Sequence, residues 1–308
     1  MRAQDAWFLM ANPDARVDDD AAELLRIGIA ATAGGFWLVS LAPVIVAGSD
    51  VHGLVMAFWR SWIGGGILAM VLALRGGLTP QLLRPTAPAG LCFGLSIGLF
   101  FWASQITSIA NASLITVLQP IPLMVAAYFV FSERLVASDL VFAAVAISGA
   151  LVLVTTGDSG GTGDIRGDAL ALISIIIGAG YFVFAKRVLV SVSVVAFMVG
   201  MFVWAGLALT PLVLLSGERI LPSTGGDWVK VLAVAILPGA GHLLLNYSHG
   251  KAPLNLMGVI QLLIPVNATL MAFWFLDQSV SLVQVVGMAV VITALAVHAI
   301  IRSRTGAG

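Results

Sequence analysis

The chain has 308 residues, 60 per cent of them hydrophobic and 10 per cent charged, and its mean hydropathy is +1.05. These values exclude an ordinary water-soluble domain and indicate one polytopic membrane domain. The formal net charge is zero, so nothing in the charge favours nucleic acid as a partner. The single cysteine, Cys92, cannot form an intrachain disulfide, and no motif indicates a cofactor or a metal site.

Residues 1–23 are mostly polar and lack the pattern of a cleavable signal peptide, so we expect a cytoplasmic tail. Ten apolar runs follow, each near the ~20 residues that a helix needs to cross the hydrocarbon core. They lie at 24–46, 52–74, 87–107, 112–131, 138–156, 167–190, 194–216, 229–249, 254–276 and 281–301. A Gly-rich link, 157–166, is expected to connect two halves, and 302–308 to form a second cytoplasmic tail.

The second half of the chain repeats the first at a constant offset of 145 positions. Under this shift Gly35-Phe36 falls on Gly180-Tyr181, and Trp59 falls on Trp204. Each copy contains five spans, and an odd number places the copies in opposite orientations. The predicted fold is therefore all-α: a polytopic membrane protein whose ten transmembrane helices form two inverted five-helix repeats, 24–156 and 167–301. Such an architecture is typical of secondary transporters that work by alternating access.

The distribution of Lys and Arg predicts that both termini are cytoplasmic, in the inner membrane. With that orientation the external side holds only Arg166, Arg219 and Lys230. The cytoplasmic side holds Arg2, Arg16, Arg26, Arg75, Arg84, Arg134, Lys186, Arg187, Lys251, Arg302 and Arg304. Termini on the same side also require an even number of spans, which agrees with ten.

Three short motifs carry a resemblance to a known family. Leu118-Gln119-Pro120 is followed by Ser132-Glu133-Arg134-Leu135, Gly167-Asp168-Ala169-Leu170 opens the second copy, and Phe58-Trp59-Arg60 stands in the second span. They resemble the Leu-Glu-Pro…Gly-Glu-Arg-Leu pattern, the Gly-Asp opening and the aromatic-Arg element of the drug/metabolite transporter superfamily, EamA-type branch. The match covers nearly all of 24–301.

This resemblance implies two EamA-like repeats around a central cavity, formed chiefly by the third, fourth, eighth and ninth helices. It also implies movement of small metabolites, often outward, such as amino acids, nucleotide precursors, vitamins or drugs. The chain departs from the family pattern at Gln119, at Ile264 in the second copy, and at Asp277-Gln278. A substrate therefore cannot be carried over from relatives that have a charged site.

Polar residues within apolar spans are candidates for the substrate site. In the eighth helix Pro238, His242, Asn246 and His249 share one face, and Tyr247 adjoins it. His249, near the cytoplasmic end, is expected at a solvated helix end. His242 either lines a pocket, where it could titrate, or bonds to a carbonyl of a neighbouring helix. Trp102 and Tyr181 either line the cavity or belong to the interfacial aromatic belts.

The fourth and ninth helices carry matching prolines, Pro120 and Pro265, at which we expect kinks. Gln119 and Gln261 stand near them and either bind a solute or bond between helices. Arg60, in the second helix, either clamps a carboxylate or phosphate or serves the structure by snorkelling or pairing with carbonyls.

No Asp or Glu falls in the interior of a predicted span, and the candidate pocket is largely uncharged. The acidic residues nearest the spans all lie at span ends: Glu133, Asp139, Asp168, Glu218 and Asp277. We therefore expect an exporter or exchanger of a neutral or zwitterionic metabolite, such as an amino acid, that works by uniport, exchange or a histidine-based proton step and not through a buried carboxylate. A single copy of ten spans forms a complete cavity, so we expect a functional monomer in the lipid bilayer. One alternative is a carrier of organic anions that uses Arg60 and His242. A remote alternative is an intramembrane serine hydrolase that uses Ser96 within Gly94-Leu95-Ser96-Ile97-Gly98, although such a nucleophile needs a strand–turn–helix context. We therefore expect the protein to be a carrier and not an enzyme.

Overall fold

A computed structural model describes residues 13–77, 79–107, 115–133, 137–155, 164–276 and 280–305. The helices in this part of the chain are α1 Pro13–Val39, α2 Leu41–Ala47, α3 Gly53–Leu74, α4 Leu83–Ile106, α5 Pro120–Phe131, α6 Ala137–Thr155, α7 Ile165–Val188, α8 Val194–Ser216, α9 Gly225–Ser248, α10 Leu254–Ile260, α11 Leu263–Leu276 and α12 Leu282–Thr305. A short 3₁₀ helix, Pro80–Leu82, precedes α4.

These helices make up ten membrane segments. Eight are long and apolar enough to cross a membrane, and Ile115–Phe131 and Ala137–Val152 are shorter apolar helices. Helices α1 and α2 together form the first segment, and α10 and α11 form the ninth. The expected tail 1–23 is helical from Pro13 onward, since α1 begins there. Asp277-Gln278, Arg134-Leu135 and most of the 157–166 link lie outside the described residues.

Contacts between helix ends show the inverted arrangement of the two repeats. A β-carbon built on Gly28 of α1 would lie 2.9 Å from Cβ of Lys251, and Glu133 after α5 bonds to the start of α10. At the other end of the bundle Thr107, which follows α4, donates to Asp168 in the first turn of α7. The first repeat therefore starts at one end of the bundle and the second repeat starts at the other.

We call the end that carries Arg75, Lys186, Arg187 and Lys251 the basic face, and the other end the opposite face. Corresponding helices of the two repeats make corresponding contacts. Helix α1 packs on α9 as α4 packs on α7, α3 packs on its equivalent α8, and α6 packs on its equivalent α12. The first pairing depends on Gly35 and Gly241, where a β-carbon on either would approach a backbone carbonyl of the other helix within 3 Å. Close glycine contact lets these helices cross with little space between them.

The fourth and ninth segments are interrupted near the middle. The fourth breaks at Leu118 and Gln119, directly before Pro120 opens α5, and the ninth breaks at Gln261 and Leu262. Pro120 lacks the N–H that would continue the helix, and neighbouring residues turn by i→i+3 bonds such as Gln119 N–H to Thr116 O. Pro265 lies in the first turn of α11, three residues after the break.

Ser132 ends α5 in the left-handed conformation, with φ of 53°, and the N–H of the following residue, Glu133, bonds to Ala127 O. A helix ends this way most easily at glycine, which has no β-carbon to strain. The position matches the glycine of the family's Gly-Glu-Arg-Leu pattern. The left-handed residue turns the chain so that Glu133 reaches the start of α10.

Candidate functional site

A cavity of about 100 Å³ lies between the two repeats. Its lining comes mainly from α1, α4, α7 and α9, with Arg60 from α3 and two residues each from α2 and from the interrupted fourth and ninth segments. A cavity needs ~10–15 Å³ of such volume to hold one water molecule, so this cavity suits a small solute rather than a large one. Most of the lining is apolar, and the polar side chains on it are Arg60, Ser96, Thr116, Gln119, Ser174, Tyr181, His242 and Gln261.

The cavity lining runs along much of the length of the bundle. Its lining extends to Pro43 in α2 and to Phe100 and Phe101 in α4, near the ends of those helices at that face. Towards the basic face the lining ends at Leu245 and Phe182. Beyond Leu245 the chain is closely packed, since Ser248 has no exposed surface and bonds to Leu245 O and Met257 Sδ.

Arg60 lines the cavity and has an unusual environment for a charged side chain. It is 1% exposed, and none of its three guanidinium nitrogens has a hydrogen-bond partner among the described residues. Its Cζ lies 5.4 Å from the ring centre of Phe93 and 5.8 Å from that of Phe101. Cation–π contacts of this kind offset only part of the cost of burying a charge, so the guanidinium retains the capacity to bind an anion.

The preceding residue explains why Arg60 points inward. Trp59 donates from Nε1 to Ile220 O at 2.7 Å and packs edge-on against Trp228. The equivalent Trp204 of the second repeat donates to Leu83 O in the same way. Each tryptophan thus fixes the rotation of its helix against the other repeat, and in α3 that rotation directs Arg60 to the cavity.

His242 also lines the cavity, with both ring nitrogens buried and without a hydrogen-bond partner in the described chain. Its ring meets Phe93 edge-on at 4.8 Å between centres and Tyr181 at 6.2 Å. Phe93 therefore contacts both Arg60 and His242 and holds two nitrogen-bearing side chains around one apolar surface. The expected neighbouring carbonyl for His242 is not found among these residues.

Tyr181 lines the cavity, and its hydroxyl donates to Asn246 Oδ1 at 2.9 Å. Asn246 is buried but does not line the cavity, so its role in the described structure is to position Tyr181. Gln119 and Gln261 both reach the lining from the two helix breaks. Gln261 Oε1 is buried and has no partner in the ranges described, so it can accept a hydrogen bond from a solute.

Two aromatic candidates lie away from the cavity. Tyr247 is 44% exposed, and Lys251 Nζ lies 3.6 Å above its ring. It follows Asn246 by one residue and is therefore rotated about 100° around α9, towards the bundle surface. Trp102 packs against His52 at the opposite face, 5.9 Å between ring centres, and is not among the lining residues.

Ser96 lines the cavity, but its hydroxyl donates to Ser174 O at 2.8 Å. A nucleophilic serine needs a base that accepts its proton, and here a main-chain carbonyl takes that position. Gly94 and Gly98 lie against Ala205 and Leu209 of α8, as the four-residue spacing predicts for helix packing. This arrangement gives no support to a hydrolase.

The basic face is closed by a network centred on Glu133. Its carboxylate pairs with Lys186 of α7 and accepts the N–H groups of Leu254, at 3.0 Å, and Asn255, at 3.2 Å. The start of a helix favours a carboxylate because its first N–H groups are unpaired and carry partial positive charge. Glu133 thus joins the end of α5 in one repeat to α7 and α10 in the other.

Two features of the site were not predicted from the sequence. Phe93, the residue that both Arg60 and His242 contact, is one phenylalanine among fifteen, and no pattern distinguishes it. His249, expected at a solvated helix end, is 3% exposed and packs against Phe182. Burial, assisted by the positive charge of Lys186, lowers the pKa of His249 to about 3.

The two repeats, the broken helices and the central cavity define a multi-pass transporter fold. The model of the EamA-like transporter family matches residues 21–155 and again residues 165–300. The chain therefore belongs to the EamA-like transporter family, within the drug/metabolite transporter superfamily. A crystal structure of another protein, 23% identical, superposes with a TM-score of 0.74 over 92% of this chain and 98% of its own, and so shares the fold. Among curated proteins, none matches the chain.

Proposed function

We propose that this transporter carries a small solute with a carboxylate group, and that Arg60 binds the carboxylate. The observation behind the proposal is the guanidinium of Arg60, buried on the cavity wall without a hydrogen-bond partner in the described residues. A planar guanidinium matches a carboxylate in a two-pronged hydrogen-bonded pair, which would satisfy the buried charge. This is the function of a carrier and not of an enzyme.

The rest of the solute would be small and largely apolar. The remaining lining is mostly aromatic and aliphatic, with Phe36, Phe93 and Phe182 prominent, and it offers few polar groups. Gln261 Oε1 and the nitrogens of His242 supply hydrogen bonds that fix the orientation. Among the alternatives from the sequence, this chemistry favours the organic anion over a wholly neutral solute.

A zwitterionic amino acid is the second candidate. Its carboxylate would bind Arg60 in the same way, and its ammonium group would rest on aromatic faces and on the Gln119 or Gln261 oxygen. The described part of the cavity lining contains no acidic side chain for that ammonium group, so we rank the amino acid below the simple carboxylate.

We further propose that the protein works as a monomer in an inner membrane with both termini in the cytoplasm. The excess of Lys and Arg at the basic face supports this orientation, since cytoplasmic loops carry that bias. The Glu133 network would then close the cytoplasmic side of the cavity. Release outward is the direction that fits this state.

The proposal can be tested by counterflow in proteoliposomes with isobutyrate, 2-aminoisobutyrate and isobutyramide, which share a carbon skeleton and differ mainly in charge. We expect the carboxylate to be carried fastest, the amino acid more slowly and the amide least. Arg60→Gln should reduce carboxylate counterflow by about ten- to a hundredfold, because a hydrogen bond to a charged group contributes ~1.5–3 kcal/mol. The amide should be nearly unaffected by this substitution.

Arg75→Gln is the matched control, because Arg75 ends the same helix, is exposed, and loses the same charge. It should retain the preference for the carboxylate. Thermal unfolding of the purified variants would establish that Arg60→Gln is folded. Equal transport of the amide and the carboxylate by the parent protein would contradict the proposal.

A further inference from the structure

The polar side chains on the cavity wall differ in whether their hydrogen-bonding groups are already used. The hydroxyl groups of Ser96 and Ser174 donate to main-chain carbonyls, and that of Tyr181 donates to Asn246. Gln261 is different, because it is 5% exposed and its Oε1 has no hydrogen-bond partner among the described residues. A buried amide oxygen without a partner costs free energy, so Gln261 favours a solute that carries a hydrogen-bond donor.

Gln261 and Arg60 line the cavity at different depths. Arg60 lies seven residues after Gly53, which starts α3 at the opposite face, and Gln261 lies seven residues after Leu254, which starts α10 at the basic face. At a rise of 1.5 Å per residue, each is ~10 Å from its own end of the bundle. A solute whose carboxylate binds Arg60 therefore presents to Gln261 the far end of its chain, and not the carbon next to the carboxylate.

A second amide, that of Gln119, lies on the same part of the wall. The two interrupted segments meet here, since a β-carbon built on Gly258, one turn before Gln261, would lie 3.5 Å from Cα of Pro120. A β-carbon built on Gly178 of α7 would lie 3.3 Å from Nε2 of Gln119, so this amide borders the α7 side of the cavity. The two glutamines together offer N–H donors and acceptor oxygens to one end of the solute.

Two amides match a group that both donates and accepts hydrogen bonds. A hydroxyl can donate to Gln261 Oε1 and accept from an amide N–H. A methyl group does neither, and a ketone or ether oxygen only accepts, so each of these would leave Gln261 Oε1 unpaired. An ammonium group only donates, and the described lining contains no carboxylate to balance its charge.

We propose that the solute is a short hydroxycarboxylate with its hydroxyl at the end of the chain remote from the carboxylate, and that Gln261 and Gln119 bind this hydroxyl. The inference rests on the proposed binding of the carboxylate by Arg60 and adds a second point of recognition. The apolar wall between the two polar ends packs on the methylene groups of the solute. Two separated polar contacts then select both the orientation of the solute and its length.

Four ligands of nearly equal size separate the two contacts. They are 4-hydroxybutyrate, pentanoate, 4-hydroxybutyramide and pentanamide, which combine a carboxylate or a carboxamide at one end with a hydroxyl or a methyl group at the other. Binding is measured on the purified protein as the rise in apparent Tm with ligand concentration, which gives apparent dissociation constants and does not require transport.

We expect each hydroxyl ligand to bind about tenfold more tightly than its methyl counterpart, because the methyl group leaves a buried amide unpaired. In 2-hydroxybutyrate the hydroxyl lies beside the carboxylate, so this acid should gain little over 2-methylbutyrate.

Variants assign the two preferences to different residues. Gln261→Met keeps a side chain of similar length without the amide, so it should abolish the advantage of the hydroxyl and keep the preference for the carboxylate. Arg60→Gln should do the reverse. Gln81→Met, at an exposed position of the 3₁₀ helix, is the matched control and should keep both preferences.

Equal binding of 4-hydroxybutyrate and pentanoate by the parent protein would overturn the proposal, as would the absence of any stabilisation by 4-hydroxybutyrate, and neither measurement needs a variant. A hydroxyl advantage that persists in both Gln261→Met and Gln119→Met would also overturn it, because the hydroxyl would then bind elsewhere. Equal binding of carboxylates and carboxamides would instead contradict the role of Arg60. The two failures appear in different pairs of ligands and can be told apart.

Discussion

Three buried histidines, His242, His249 and His298, have three different environments. His242 contacts aromatic edges on the cavity wall, and His298 bonds to a carboxylate. His249 packs on Phe182 just beyond the end of α9, with both nitrogens unpartnered in the described residues and Lys186 as a nearby positive charge. Among them, His249 lies just past the end of a membrane-spanning helix, and both burial and the charge of Lys186 act against its protonation.

The folded protein therefore keeps His249 neutral, whereas the unfolded chain protonates it near pH 6.5. Because the folded pKa is lowered, stability is complete above pH 6.5 and is lost as the pH falls, by about 2 kcal/mol at pH 5. His249→Phe, which cannot take up a proton, should show a smaller drop in apparent Tm between pH 7.5 and pH 5. His52→Asn, which keeps a side-chain acceptor at the start of α3, is the comparison variant. Burial lowers the pKa of His52 too, but the nearby charge of Glu218 opposes that shift, so the drop should shrink less in His52→Asn than in His249→Phe. An unchanged drop in His249→Phe would contradict the assignment.

At the scale of helices, glycine marks the places where two helices meet at the backbone. A β-carbon on Gly94 of α4 would lie 2.6 Å from Cα of Ala205 in α8, a main-chain atom that cannot move aside alone. A β-carbon on Gly66 of α3 would meet nothing within 4 Å. Both residues are helical, so they differ in packing and not in local conformation.

Gly94→Ala should therefore separate α4 from α8 and destabilise the protein by about 1–3 kcal/mol, the range for overpacking. Gly66→Ala should be neutral or stabilising by up to ~1 kcal/mol, because alanine is the better helix former. Thermal unfolding in detergent compares the two directly. A loss of stability in Gly66→Ala as large as in Gly94→Ala would show that conformation, not contact, sets the effect.

The helices and their inversion could be predicted from the sequence, because span length and a constant offset depend on the chain alone. The faces of the helices were harder to predict. His242 and Asn246 do point inward, but Tyr247, the next residue, lies at the surface. In so apolar a helix, the hydrophobic pattern does not distinguish residues that face the cavity from residues that face the surface of the bundle. Asp139 was placed at a helix end, and only the packing of α10 and α12 over that end buries it.

At the scale of the whole molecule, the two repeats share a fold but not a charge distribution. Arg60 corresponds to Ala205 and Glu133 to Gln278 under the repeat offset. The guanidinium of the cavity and the carboxylate that closes the basic face therefore both belong to the first repeat. Two inverted copies of the same sequence would make the two end states equal in energy, and these differences remove that equality.

This asymmetry leads to an expectation about the transport cycle, which rests on carboxylate binding at Arg60. The loaded carrier changes state with Arg60 paired, whereas the empty carrier must enclose an unpaired guanidinium. Enclosing an unpaired charge in a membrane protein costs several kcal/mol, and each ~1.4 kcal/mol slows a step about tenfold. Exchange of isobutyrate for isobutyrate should therefore exceed net efflux into solute-free medium by about tenfold or more.

Proteoliposomes loaded with labelled isobutyrate would measure both rates, with and without unlabelled isobutyrate outside. Net efflux should respond to an imposed membrane potential, because the empty carrier has one positive charge more than the loaded carrier, and exchange should not. Arg60→Gln removes the charge and should bring the two rates together, although both will be slow, while Arg75→Gln should keep them apart. If the parent protein releases solute as fast without an exchange partner as with one, then the empty carrier reorients freely and the charge of Arg60 must be balanced by a group within the protein.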